Sequence, residues 1–156
     1  MFQGLSLVGT LGLVWIAIGA VLALLSRSPR ILVLVAAASA LANLSAYGLK
    51  LAVDRPRPPV RYAEPEPLLR VPADPSFPSG HATMSFACAL LLTWSRPRLA
   101  PFLFALAAAV AWSRVYVGVH YPLDVLGGAA LGLALATALR WLEGVPRRSG
   151  RRRRRG

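Results

Sequence analysis

The chain has 156 residues, of which 56% are hydrophobic, and its mean hydropathy is +0.54. This apolar content excludes an ordinary soluble domain of the same size, so we expect a membrane protein with one domain. The formal net charge is +12, but eight of the 18 basic residues lie at or beyond Arg140. That distribution is typical of a charged membrane edge and disfavours nucleic acid as a partner.

Five apolar runs predict transmembrane helices, each of which needs roughly 20 mostly apolar residues. They are residues 5–25, 31–49, 80–94, 99–119 and 122–142. The third run is short and crosses a bilayer only if it tilts. The first lacks basic residues before Arg27 and a small-residue cleavage site, so we interpret it as a retained span rather than a signal peptide. The predicted fold is all-α, an integral membrane helical bundle of about five transmembrane helices formed by residues 1–146.

The basic residues predict how the bundle is oriented in the cell membrane. When the five spans are followed in order, most of the basic loop residues fall on one side: Arg27, Arg30, Arg96, Arg98, Arg140 and the tail arginines. Because basic loops stay in the cytoplasm, we expect the C-terminus inside and the N-terminus outside. The proline-rich loop after Lys50 then lies outside, where it can cover a site. Residues 147–156 are predicted to be a disordered basic cytoplasmic tail near anionic headgroups.

The first polar cluster lies at the outer end of the second span. Lys50 ends that span, and Arg57 and Pro58 follow in the sequence KLAVDRPRP. A cation pair at this depth suits a phosphate group, because lysine supplies a point charge and arginine a two-pronged donor. Taken alone the pattern is weak, since cations that extend from span ends towards water are common.

The second cluster lies where the loop becomes the third span, and it consists of Pro78, Ser79, Gly80 and His81. Ser79 is the predicted N-cap, which leaves free backbone N–H groups pointing at an anion, and Gly80 permits close approach of a phosphate oxygen. His81 would lie in the first turn beside that anion. The alternative is ordinary turn and capping chemistry with an exposed histidine.

The third cluster joins the fourth and fifth spans and contains Ser113, Arg114, His120 and Asp124. Pro122 predicts the first position of a helix, so His120 lies just before it and Asp124 in its first turn. A carboxylate there can hold one ring nitrogen and leave the other unprotonated for attack. The alternative is that Asp124 only caps the helix and His120 lies at the interface.

Together, the three clusters resemble the signature of the type 2 phosphatidic acid phosphatase (PAP2) superfamily. Their order and spacing match without a gap, and the resemblance covers about half of the chain, from Lys50 to Asp124. It implies a helical membrane bundle with the core of acid phosphatases and vanadium haloperoxidases. That family commonly has six spans, so we expect one helix fewer at the N-terminus of this chain.

The resemblance also implies a role for each matching residue. His120 would be the nucleophile, Asp124 its orienting partner and His81 the general acid. The phosphate-binding residues would be Lys50, Arg57, Ser79, Gly80 and Arg114. The implied enzyme is a phosphatase that works through a phosphohistidine, with no metal and no other cofactor. The sequence fits this because it offers no carboxylate cluster for magnesium.

The expected substrate is a lipid phosphate or diphosphate cleaved on the outer face of the membrane. The resemblance ranks an isoprenoid diphosphate such as undecaprenyl diphosphate first, and phosphatidylglycerol phosphate or phosphatidate second. A protein that binds or flips lipid phosphates without turnover and a vanadium-dependent haloperoxidase are alternatives. The spacing does not separate monophosphate from diphosphate substrates. Gly128 and Gly132 permit close helix packing either inside the bundle or in a homo-oligomer.

Overall fold

The structure is a computed structural model that describes residues 7–62, 67–68 and 71–144. Every regular element within these residues is helical, which confirms the all-α class. The long helices are α1 (Leu7–Leu25), α2 (Pro29–Val53), α4 (Gly80–Ser95), α5 (Ala100–Tyr116) and α6 (Pro122–Gly144). One short helix, α3, covers Pro58–Arg61, and a 3-10 turn covers Pro97–Leu99. The domain limit at residue 146 and the tail 147–156 lie outside the described residues.

The five long helices correspond to the five apolar runs, with shifts at their ends. Within the described residues, three segments are long and apolar enough to cross a membrane: Pro29–Arg61, Pro97–Tyr116 and Pro122–Leu142. Helix α4 has only 16 residues, as its short apolar run predicts. Helix α5 ends earlier than predicted, at Tyr116, because the chain turns at Gly118 with a φ of +76°.

Helix α4 lies at the centre of the bundle and packs against α1, α2, α5 and α6. The indole Nε1 of Trp15 in α1 donates a hydrogen bond to Ser85 Oγ in α4, at 3.0 Å. Cys88 is also buried in this core. Core packing around α4 therefore fixes where the first residues of α4 lie.

Helix α6 approaches α4 closely through its glycines. A Cβ atom on Gly128 would lie 2.5 Å from the carbonyl oxygen of Ser79, and one on Gly132 would collide with the carbonyl oxygen of Thr83. These two glycines thus face α4, so their part in close packing lies inside the bundle.

The ends of four helices meet at one end of the bundle. The backbone N–H of Ser79, just before α4, donates to the carbonyl oxygen of Asp124 in α6 at 2.9 Å. The backbone N–H of His120 donates to the carbonyl oxygen of Arg114 in α5 at 3.3 Å. Lys50, near the end of α2, is buried at this same end. At the opposite end, Arg96 donates a hydrogen bond to the hydroxyl of Ser26. This bond joins the basic loop after α4 to the basic loop after α1.

Candidate active site

A histidine and an aspartate form the centre of the candidate site. His120 lies in the turn before α6 and Asp124 in the first turn of α6. The ring Nδ1 of His120 is 3.4 Å from Asp124 Oδ2, and the two side chains are 4% and 0% exposed. Because the carboxylate lies on the Nδ1 side, it favours the tautomer that carries its proton on Nδ1. The other ring nitrogen, Nε2, is then left with its lone pair.

The guanidinium of Arg57 lies against that second nitrogen. Arg57 Nη1 is 3.2 Å from His120 Nε2 and donates to the carbonyl oxygen of Val119 at 2.9 Å. Arg57 is only 3% exposed, so this positive charge is held inside the protein. An anion bound to Arg57 would therefore lie beside His120 Nε2.

Asp74 joins the two cations of the first sequence cluster. Its carboxylate accepts a hydrogen bond from Arg57 Nη2 at 2.9 Å and another from the Lys50 ammonium group. The carbonyl oxygen of Asp74 also accepts from Arg57 Nε at 2.8 Å. Lys50 and Arg57 thus converge on one small carboxylate, which demonstrates that the two cations can share an anionic group.

A further arginine holds the carboxylate of Asp124. Arg55 Nη1 donates to Asp124 Oδ1 at 2.8 Å, while the backbone N–H of Tyr121 donates to Oδ2, also at 2.8 Å. The guanidinium of Arg55 also lies over the ring of Tyr121, 4.2 Å from its centroid. Each oxygen of Asp124 therefore has a fixed donor.

The second cluster lies directly beside this group. Ser79 is the N-cap of α4 as predicted, but its side chain makes no capping bond. Its Oγ is buried and has no hydrogen-bond partner among the described residues. Gly80 begins α4, and His81 follows in the first turn, half-buried. This arrangement leaves the hydroxyl of Ser79 available to a phosphate oxygen next to Asp124.

Arg114 is buried at the end of α5, and its guanidinium donates to the hydroxyl of the adjacent Ser113 at 3.0 Å. Its carbonyl oxygen accepts the backbone N–H of His120, so Arg114 supports the turn that carries the histidine. The contacts of its guanidinium differ from those of Lys50 and Arg57, which share Asp74.

Two groups in the loops have shifted pKa values. Burial lowers the pKa of His120 below its ordinary value of 6.5, and the charges of Arg57 and Lys50 lower it further against the opposing effect of Asp124. Burial alone would raise the pKa of Asp74, but its bonds to Lys50 and Arg57 outweigh burial and lower it. At neutral pH, His120 is therefore uncharged and Asp74 is a carboxylate.

Arg55 and Asp74 are not among the site residues predicted from the sequence. A signal for Arg55 existed, because Arg55 and Arg57 are two residues apart in a proline-rich extended segment, and such residues point to the same side. Asp74 offered no comparable signal, since its position depends on the path of the loop. Within the part of the chain that the structure describes, no group of three or more His, Cys, Asp or Glu side chains could hold a metal ion.

The chain is similar in sequence to several curated proteins. The chain is 36% identical over 121 residues to an undecaprenyl-diphosphatase of Sulfolobus acidocaldarius. The aligned region covers 76% of this chain and 58% of the relative. The chain spans between 31% and 58% of the lengths of the first three curated relatives that it matches.

Two crystal structures have the same fold. A transmembrane PAP2-type phosphatidylglycerolphosphate phosphatase from Bacillus subtilis superposes with a TM-score of 0.65 at 26% identity, covering 94% of this chain and 74% of that one. LpxE of Aquifex aeolicus superposes with a TM-score of 0.67 at 26% identity, covering 85% of both chains.

The model of the PAP2 superfamily matches residues 30–147, which include all three polar clusters. The match also covers α2 to α6, whose ends build the site. The chain is an integral membrane protein of the PAP2 superfamily.

Proposed function

We propose that this protein is a membrane phosphatase that removes phosphate from a lipid phosphate or diphosphate through a phosphohistidine on His120. The preferred substrate is an isoprenoid diphosphate such as undecaprenyl diphosphate. The observation that carries the proposal is the position of His120, whose Nδ1 faces Asp124 while Nε2 faces the buried guanidinium of Arg57. A phosphoryl group bound to Arg57 would lie within reach of Nε2.

In the first step, the lone pair of His120 Nε2 attacks phosphorus as the bond from phosphorus to the lipid oxygen breaks. The departing oxygen takes a proton from His81, which the family resemblance implies is the general acid. Positive charge develops on the imidazole, and the carboxylate of Asp124 stabilises it. The 3.4 Å separation of Nδ1 and Oδ2 is long for a hydrogen bond, and such contacts commonly tighten when substrate binds.

In the second step, a water molecule attacks the phosphohistidine, and the bond from phosphorus to Nε2 breaks. His81, now neutral, takes the proton of the water. The products are orthophosphate and the lipid alcohol, or the lipid monophosphate when the substrate is a diphosphate. Lys50, Arg57 and Arg114 stabilise the charge on the phosphoryl oxygens, together with the amides and hydroxyl near Ser79.

The undecaprenyl-diphosphatase relative supports an isoprenoid diphosphate as substrate, because its match covers most of this chain. Phosphatidylglycerol phosphate is the second candidate, since the crystal structure of a phosphatase for that lipid has the same fold. Orthophosphate release from both lipids, from phosphatidate and from a soluble sugar phosphate, with a chelator present, tests the ranking. Preference for the sugar phosphate would contradict the proposal.

Substitution of the proposed nucleophile distinguishes a phosphatase from a protein that binds or flips lipid phosphates without turnover. His120→Ala is expected to abolish orthophosphate release while the protein remains folded. The matched control is Thr137→Ala in α6, the helix that follows His120, because this exposed hydroxyl donates to the carbonyl oxygen of Leu133 in its own helix. Release that persists in His120→Ala would contradict the phosphohistidine mechanism.

The proposed site faces the outside of the cell, because the basic loops at Ser26 and Arg96 lie at the opposite end of the bundle. The single native cysteine, Cys88, is buried, so cysteines can be introduced as probes. A membrane-impermeant maleimide added to intact cells should label Tyr62→Cys near the site but leave Arg27→Cys unlabelled. The reverse pattern would place the site in the cytoplasm.

A further inference from the structure

We propose that Arg55 is a positioning residue of this phosphatase, which holds the Asp124 carboxylate in the orientation that keeps His120 ready to attack. The inference rests on the proposed function, and it assigns a role to a residue outside the three sequence clusters. Arg55 acts through Asp124 and binds no part of the substrate.

The contacts of Asp124 are divided between its two oxygens. Oδ1 accepts from Arg55, and Oδ2 accepts from the backbone N–H of Tyr121 and faces the ring of His120. A carboxylate held by Oδ2 alone could rotate about its side-chain bonds and leave Nδ1. The bond from Arg55 to Oδ1 fixes the plane of the carboxylate and therefore the direction in which Oδ2 points.

Arg55 is itself held in place, as a positioning residue must be. Its guanidinium lies 4.2 Å from the ring centroid of Tyr121, and its carbonyl oxygen accepts the backbone N–H of Ser76 at 2.8 Å. The side chain is 32% exposed whereas Asp124 is fully buried, so Arg55 closes the site between the carboxylate and the solvent. An arginine suits this place because it stacks on an aromatic ring and donates at the same time.

The same contact affects which ring nitrogen of His120 carries the proton. The Asp124 carboxylate lies 3.4 Å from Nδ1 and favours the tautomer that is protonated there. Without Arg55 the carboxylate is free to turn away from Nδ1. Loss of Arg55 should therefore reduce the fraction of His120 that carries its proton on Nδ1 and keeps the lone pair of Nε2 for attack.

The kinetic test compares Arg55→Ala, Arg55→Lys and the wild-type protein on the lipid substrate that the wild type hydrolyses. Loss of a charge-assisted hydrogen bond predicts that kcat falls about 10- to 100-fold in Arg55→Ala, while KM changes less than about twofold. Arg55→Lys keeps the charge and one donor, so it should restore most of kcat.

Arg61→Ala is the matched control, because Arg61 is an exposed arginine near the same loop and its guanidinium stacks on the ring of Tyr62. It should behave as the wild type does. A large rise in KM with unchanged kcat in Arg55→Ala would show that Arg55 binds substrate instead, and wild-type kinetics would show that it has no role. Either result would overturn the proposal.

A second measurement needs no turnover, so it separates failure of this inference from failure of the proposed function. The chain has two histidines, and His81→Gln leaves only His120 to be followed by nitrogen-15 NMR in detergent micelles. Adding Arg55→Ala to that background should lower the fraction of neutral His120 that is protonated on Nδ1, and Arg61→Ala should not. An unchanged tautomer ratio of His120 would refute the inference whether or not the protein hydrolyses lipid phosphates.

Discussion

The crossing of α4 and α6 allows a direct test of how the fold holds the site. Gly128 lies in α6, one turn after Asp124, and faces Ser79 of the second cluster. A Cβ atom there would be 2.5 Å from the carbonyl oxygen of Ser79 and 3.0 Å from the Cβ of Ala82. The perturbation is Gly128→Ala, which adds one methyl group between the two helix ends.

The expected magnitude follows from these distances. The nearest contact needs about 0.9 Å more room to reach the 3.4 Å of ordinary van der Waals contact, and its partner is backbone that cannot rotate away. Overpacking of this kind costs about 1–3 kcal/mol of stability. Because Ser79 and Asp124 are hydrogen-bonded across the same crossing, a shift of nearly 1 Å separates Ser79, a proposed phosphate-binding residue, from the proposed nucleophile His120. Misplacement on this scale can reduce kcat about 100-fold.

The assay is orthophosphate release together with thermal unfolding in the same detergent. The matched control is Gly48→Ala in α2, since a Cβ atom on Gly48 would meet nothing within 4 Å. That control should keep kcat and gain up to about 1 kcal/mol of stability, because alanine favours a helix over glycine. If Gly128→Ala retained the kcat and the melting temperature of the wild type, the close crossing would not position the site.

Three further predictions concern single groups. Because burial lowers the pKa of His120, the acid limb of kcat/KM should lie below pH 6.5, and a limb above that value would contradict a buried neutral nucleophile. Asp74→Asn should strengthen inhibition by orthophosphate about 10-fold, because the Asp74 carboxylate competes with phosphate for Lys50 and Arg57. Weaker inhibition would mean that Asp74 instead orients these two cations for phosphate. Trp15→Phe removes the partner of buried Ser85, so unfolding should become easier by about 1–3 kcal/mol at unchanged kcat, and an unchanged melting temperature would contradict this.

The fold could be predicted from the sequence because each apolar run is long enough to form a helix in a membrane. In an apolar medium the backbone must satisfy its own hydrogen bonds, which leaves the helix as the available structure for such runs. Pro122 marked the start of α6 to the residue, since proline is favoured at the first position of a helix. The end of α2 was predicted less well, because Lys50 is polar but still helical, and the helix continues to Val53.

The placement of the three clusters at one end of the bundle followed from the alternation of the spans. Successive helices cross in opposite directions, so the end of α2 and the start of α4 must lie on the same side, as must the end of α5 and the start of α6. This argument places residues on a side but gives no distances between them. The contact of Arg57 with His120, across 63 positions of sequence, required coordinates.

The counterions of the site could not be predicted for a related physical reason. A buried cation needs an opposite charge or a full set of hydrogen bonds, so Lys50 and Arg57 implied that some acidic partner exists. From the sequence we expected the substrate to be that partner, because the family resemblance implies that these residues bind phosphate. In the structure Asp74 supplies it, and Arg55 does the same for the buried carboxylate of Asp124. Both partners come from the proline-rich segments around the site, so these segments supply charges to it.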